Sequence, residues 1–176
     1  MTTSKTFELK PFDPKVGHGF SISSSIVKNS ASLDIHFEVA GDLKQLILPA
    51  PRESPSFQDE LWKKTCFEVF ISSSGSDDYI EWNFSPSGDW AIYFFEAYRK
   101  RSPVQQKMTP MISFEEKLGR CVLKASVDLL PNHLSQNLDI QLTAVLEHFP
   151  GKLSYWAISH GETKPDFHFR KAFQSL

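Results

Sequence analysis

Two stretches of this sequence concentrate side chains whose types and spacing could do chemistry. In the first, Phe67, Val69 and Ile71 alternate with Cys66, Glu68 and Phe70, and Ile80, Trp82 and Phe84 alternate with Tyr79, Glu81, Asn83 and Ser85. With the apolar members turned to a core, the others share the opposite face of a strand pair. A short Ser/Gly/Asp loop joins the two runs, so they are expected as neighbours, with Glu68 near Glu81 and Asn83. Carboxylates among rings in that setting are either part of a solvated sheet face or the floor of a polar pocket. The second stretch, Ser154 to Arg170, carries Trp156, His160, Lys164, Asp166, His168 and Arg170 beside Gly161 and Pro165, which fix a loop. Loops held by a rigid sandwich commonly carry ligand-binding residues, and charged loops are also frequent near chain ends.

Several reactions can be weighed on these residues. Glu68 and Glu81 could form a glycosidase pair, which requires carboxyl groups about 5–5.5 Å apart for retention or about 6.5–9.5 Å for inversion, across an open cleft. Ser85 or Ser87 with His160 and Asp166 has the composition of a triad, but no Gly-x-Ser-x-Gly elbow accompanies it. Cys66 could act as a nucleophile only if exposed and ionised, and its setting between Thr65 and Phe67 reads as buried. No phosphate-binding Gly loop or nucleotide fingerprint is present. Metal binding by His160, Asp166 and His168 lacks a His-Glu-x-x-His or Cys-x-x-Cys spacing. The residues favour a binding site over a catalytic one.

The elements that must position these groups read as strands. Leu33, Ile35, Phe37 and Val39 alternate with polar residues, as do Cys121 to Leu129 and Leu138 to Leu146. Turn signals separate the runs, at Gly17–Gly19, Ala40–Asp42, Ser74–Asp78, Pro86–Asp89, Leu118–Gly119 and Phe149–Gly151. Hairpins are expected at Ser87-Gly88 and at Pro150-Gly151. From Trp90 to Arg99 both faces are largely apolar or aromatic, which predicts a strand covered on both sides, by a loop or by a ligand pocket. Short helical turns are expected within Ser56–Lys64 and Leu130–Leu134, and an ordered proline-rich loop over Pro49–Pro55. About ten short strands with such spacing predict an all-β fold, an antiparallel β-sandwich with one or two short helical turns.

Composition narrows the function classes. The chain has 176 residues, 19 Lys+Arg against 21 Asp+Glu, 15 Phe, 4 Trp and 4 Tyr. One domain spanning 1–176 is expected at this length. A formal charge of −2 gives no basic footprint for nucleic acid. No apolar run approaches the ~18–20 residues of a membrane span, and the segment from Met1 lacks the apolar stretch of a secretory signal. Two cysteines, Cys66 and Cys121, suit reduced thiols, so a cytoplasmic location is expected. So much aromatic mass excludes a disordered chain.

The segments Leu61-Trp62-Lys63-Lys64-Thr65-Cys66-Phe67-Glu68, Tyr79 to Ala91, Tyr98-Arg99, Tyr155 to His160 and Lys164 to His168 resemble those of small bacterial DOMON-like proteins, in the superfamily of the family 9 carbohydrate-binding modules. The resemblance covers nearly the whole chain and implies a β-sandwich of jelly-roll or immunoglobulin-like build, with a ligand site on one face or loop end. In family 9 modules a sugar lies between two tryptophans. By resemblance Trp62 and Trp156 would stack on a ligand, and Glu68, Glu81, Asn83 and Arg99 would bind its polar groups. Tyr98 falls in the same region, and His160, Lys164, Asp166 and His168 would form the loop wall. Other DOMON-type domains bind haem, for which His160, His168, Met108 and Met111 are the available axial ligands; no Cys-x-x-Cys-His motif for covalent attachment exists. The resulting expectation is a non-catalytic domain whose partner is a small molecule, most readily a sugar, needing no cofactor. The alternatives are non-covalent haem binding and a glycosidase using Glu68 and Glu81.

Overall fold

A computed structural model describes residues 2–134, 137–161 and 163–176. Glu162, inside the charged stretch singled out above, lies outside the described residues. In chain order the strands are β1 (Thr3–Pro11), β2 (Ser21–Lys28), β3 (Ser32–Ala40), β4 (Cys66–Ser73), β5 (Tyr79–Phe84) and β6 (Trp90–Ala97). They continue with β7 (Lys100–Arg101), β8 (Met111–Lys117), β9 (Arg120–Asp128), β10 (Leu138–His148), β11 (Lys152–Ala157) and β12 (Gln174–Ser175). The two expected helical turns form at Leu61–Lys63 and Pro131–Leu134; single turns at Leu43–Gln45 and Arg170–Ala172 were not foreseen.

All named strand pairs are antiparallel, and they build a β-sandwich. One sheet runs β1-β2-β3-β9-β8 and the other β7-β6-β5-β4-β10-β11. Strand β1 joins both: Thr3–Leu9 pair with β2, while Lys10 and Pro11 pair with Ala157 and Trp156 of β11. The alternating runs behave as expected. Leu33, Ile35, Phe37 and Val39 of β3 and Leu123, Ala125 and Val127 of β9 face inward, against Phe67, Val69, Trp82, Phe84 and Leu142 of the second sheet. Phe37 and Phe67 touch across the sheets, their ring centroids 5.2 Å apart.

The second sheet is buried on its outer face as well. Phe70, Tyr79, Ala91, Tyr93 and Phe95 form a separate apolar cluster there, on which Leu61, Trp62, Phe167 and Phe173 pack. The covering layer is the segment that follows β11. It leaves the β11 edge with Ile158 N–H donating to the Leu142 carbonyl, reaches the β6–β7 turn through Asp166, and returns so that β12 pairs with Asp139 and Ile140 of β10. This cover is the reason β6 is apolar on both faces, and why β4 and β5 are buried along their whole lengths.

Candidate ligand-binding site

The outer faces of β4 and β5 bring the two carboxyl groups together. Glu68 pairs in register with Asn83, and Glu81 with Phe70, so Glu68 and Glu81 are diagonal neighbours on one face. They are 2% and 5% exposed. Each carboxyl is held through one oxygen. The Thr143 hydroxyl on β10 donates to Glu68 Oε2 at 2.9 Å, and Asn83 Nδ2 donates to Glu81 Oε1 at 2.7 Å. Burial first, and the Glu81 charge second, push Glu68 well above the ordinary carboxylate range. Burial likewise raises Glu81 to about 7, against the Asn83 hydrogen bond and the nearby charges of Arg101 and Arg99. Near neutral pH this floor therefore holds at least one proton, and it can both donate to and accept from a ligand.

The covering segment supplies the wall opposite. Its anchor is Asp166, which accepts from Tyr98 Oη at 2.5 Å, from Arg99 Nη2 at 2.8 Å and from the His168 N–H at 3.2 Å. Although burial pushes Asp166 up, the Tyr98 and Arg99 hydrogen bonds hold it below the usual carboxylate range. The Tyr98-Arg99 turn is tight, with Arg99 at φ 54, and the Arg99 N–H donates to Tyr79 Oη at 3.0 Å. The Tyr79 hydroxyl lies 2.8 Å from His168 Nδ1. Burial, then the Arg99 charge, lower His168 to about 4, so its imidazole is neutral. Tyr79 donates to Nδ1, which leaves the proton on Nε2, 3.7 Å from Glu81 Oε2.

Between floor and wall lies a cavity of about 450 Å³, within the range of small-molecule sites. Trp62, Phe70, Phe95, Tyr155 and Phe167 provide its aromatic surfaces; Glu68, Glu81, Arg99, Arg101 and His168 provide its polar ones. Trp62 is presented by the single turn Leu61–Lys63, edge-on to Tyr93 with ring centroids 5.7 Å apart. The Arg101 guanidinium lies 4.2 Å from the centre of the Tyr93 ring.

Of the residues selected from the sequence, Trp62, Glu68, Glu81, Arg99 and His168 converge on this cavity. Asn83, Tyr98 and Asp166 stand behind it, the first orienting Glu81 and the others anchoring the covering segment. Three do not belong to it. Trp156 faces the opposite side of the sheet, because it pairs with Ala144 on the inward register; it is 2% exposed in the sandwich core and donates to Ser154 Oγ. Its expected stacking role is therefore corrected: Tyr155, one residue earlier and on the outward register opposite Val145, lines the cavity. His160 donates from Nε2 to the Lys10 carbonyl at 2.7 Å, outside the cavity. Lys164 is exposed and does not line it.

The residues do not fit a haem. His160 and His168 do not face a common space, and Met111 lies on β8 of the other sheet. No group of three or more His, Cys, Asp or Glu arranged to hold a metal occurs among the described residues. The Cys66 thiol is fully buried, and burial pushes its pKa up, which removes it as a nucleophile. Sequence reasoning passed over Arg101, Phe95, Tyr155 and Phe167 as site residues, while the shared outward face of Glu68, Phe70 and Glu81 follows from the alternation.

No family model matches the chain, and no curated protein matches it in sequence. Solved structures do match it in shape. One is a candidate carbohydrate-binding protein from Bacteroides uniformis, with a TM-score of 0.62 and 17% identity over 97% of this chain and 85% of that one. Another is a family 9 carbohydrate-binding module from Caldicellulosiruptor kristjanssonii in complex with glucose, with a TM-score of 0.59 and 8% identity over 89% and 75% of the two chains. A structure of a family 9 module from the same organism with cellotriose gives 0.54 and 8% identity over 82% and 68%. The chain thus has the β-sandwich fold of the family 9 carbohydrate-binding modules.

Proposed function

We propose that the chain is a non-catalytic binding domain, spanning 1–176, whose cavity takes a sugar or another small polar ring compound. One observation carries the reading: a cavity of about 450 Å³ with aromatic walls stands over two buried carboxyl groups that each keep an oxygen unbonded. Sugar faces rich in C–H stack on rings such as Trp62 and Tyr155, while ring hydroxyls need the donors and acceptors that the carboxyls and Arg99 offer. The glucose and cellotriose held by modules of the same fold support the class of ligand. A cytoplasmic location, which we also propose, suits a small free sugar better than a polymer.

The test follows tryptophan emission during titration with a glycan panel. Trp82 and Trp156 are in the core and Trp90 packs against it, so among the four tryptophans Trp62 is the one that lines the cavity. A sugar-dependent change that disappears in Trp62→Ala is the expected result. A folded protein with no response to any member, or with an undiminished response in Trp62→Ala, would overturn the assignment. Release of reducing ends, lost in Glu68→Gln, would instead identify a glycosidase.

A further inference from the structure

The floor of the cavity is short of positive charge. Glu68 Oε1 and Glu81 Oε2 accept no hydrogen bond among the described residues, and neither is among the occluded polar atoms that lack a partner, so both are open to the cavity. Every cation near them is engaged elsewhere or lies at the rim. Arg99 is paired with Asp166, with 48% of its side chain exposed. Arg101 is exposed and rests on the Tyr93 ring, making no ion pair among the described residues. His168 approaches Glu81 to 3.7 Å but is kept neutral by burial and by Arg99. The fourth neighbouring group, Tyr79, spends its proton on His168. The cavity that these two oxygens face is lined by Phe70, Phe95, Tyr155, Phe167 and Trp62. Aromatic faces attract a cation, more strongly in a desolvated site.

We propose that the ring compound bound here carries a protonated amine, as an amino sugar does, and that its nitrogen is held between Glu68 and Glu81 beneath the aromatic walls. The inference rests on reading the cavity as a sugar site and adds the charge of the ligand. An ammonium brings three N–H donors. Two reach the unbonded carboxyl oxygens, and the ammonium charge offsets the cost of ionising a floor that burial otherwise keeps partly protonated. A neutral sugar hydroxyl supplies only one donor and no charge. An anionic sugar could meet Arg101 at the rim but would set its charge near the floor carboxylates.

Calorimetric titration at neutral pH with glucosamine, glucose, N-acetylglucosamine and glucuronate separates the readings. The expected result is that glucosamine binds at least tenfold tighter than each of the other three, and that Glu81→Gln reduces this preference to a few-fold or less. Glucose or N-acetylglucosamine binding as tightly as glucosamine would overturn the ammonium assignment and leave the sugar site standing. A preference for glucuronate would overturn it too, by giving the rim arginines the deciding role. Absence of binding by all four, in a protein that also shows no Trp62 response to the wider panel, would overturn both proposals. Glu68→Gln is the second variant: a preference left intact in both glutamine variants would also sink the assignment, whatever the affinity of the wild type.

Discussion

Glu81 and His168 face each other at 3.7 Å, and burial shifts each toward its neutral form. An acid and a base so close would ordinarily exchange a proton and form an ion pair. Here the desolvation of both groups, with Arg99 and Arg101 opposing charge on the imidazole, outweighs that attraction.

The carboxyl half of this relationship predicts a pH-dependent gain from Glu81→Gln. A carboxyl raised from 4.5 to about 7 on folding contributes stability that is present in full below 4.5 and is lost as pH rises through 7. The glutamine variant has no such loss. Its stability relative to wild type should increase between about pH 4.5 and 7, by up to roughly 3 kcal/mol. Urea unfolding of both proteins across that range checks it; a difference independent of pH would contradict the burial argument.

The imidazole half acts in the other direction. His168 is lowered from 6.5 to about 4, so its contribution is present above 6.5 and is lost as pH falls toward 4. His168→Gln should therefore gain on wild type as the solution is acidified from 6.5 to 4. Its own cost, from the hydrogen bond with Tyr79, should be largest at neutral pH. Thermal melts at the two ends of the window report the sign.

Trp62 and Trp156 should separate cleanly. Trp156→Ala opens a void in the core and is expected to cost about 3–5 kcal/mol. Trp62→Ala removes a half-buried ring from a single helical turn, and should cost much less while weakening ligand binding at least tenfold. Denaturant midpoints and ligand titrations on both variants test the pair. Equal destabilisation would put Trp62 in the core as well.

Asp166→Asn should loosen the cover without unfolding the sandwich. It weakens the contacts to Arg99 and Tyr98, while the core of both sheets is untouched. Amide exchange across residues 163–173 should quicken, with β3 and β10 unchanged. Uniform acceleration along the chain would show that the segment is integral to global stability.

How much of this was readable beforehand depends on what each face of a strand meets. β3, β9 and much of β10 declare themselves because one face packs and the other is wetted, which keeps a period of two. β2 does not, since Ser24 points inward with Ile22 and Ile26 and hides the contrast. Glu68 and Glu81 were placed on one face correctly, but alternation cannot say whether that face meets water or a covering chain. Tyr155 and Trp156 show a sharper limit. Both are large and aromatic, so the pattern assigns neither to the inside; the pairing of Trp156 with Ala144 settles it. The cover over residues 158–161 and 163–173 has no period at all, and the rim cation Arg101 sits in a two-residue strand too short to leave a signal.

The cavity is assembled from two kinds of chain: a floor on regular strands and a roof on an aperiodic strap pinned at Asp166. Substitutions in the floor disturb ladders that the whole sandwich shares, whereas Pro165 and Phe167 take part in no strand pairing and meet the floor through side chains alone. A library randomised at those roof positions could therefore search for new ligand preferences on an unaltered scaffold. The same division would let relatives diverge in what they recognise while keeping one architecture.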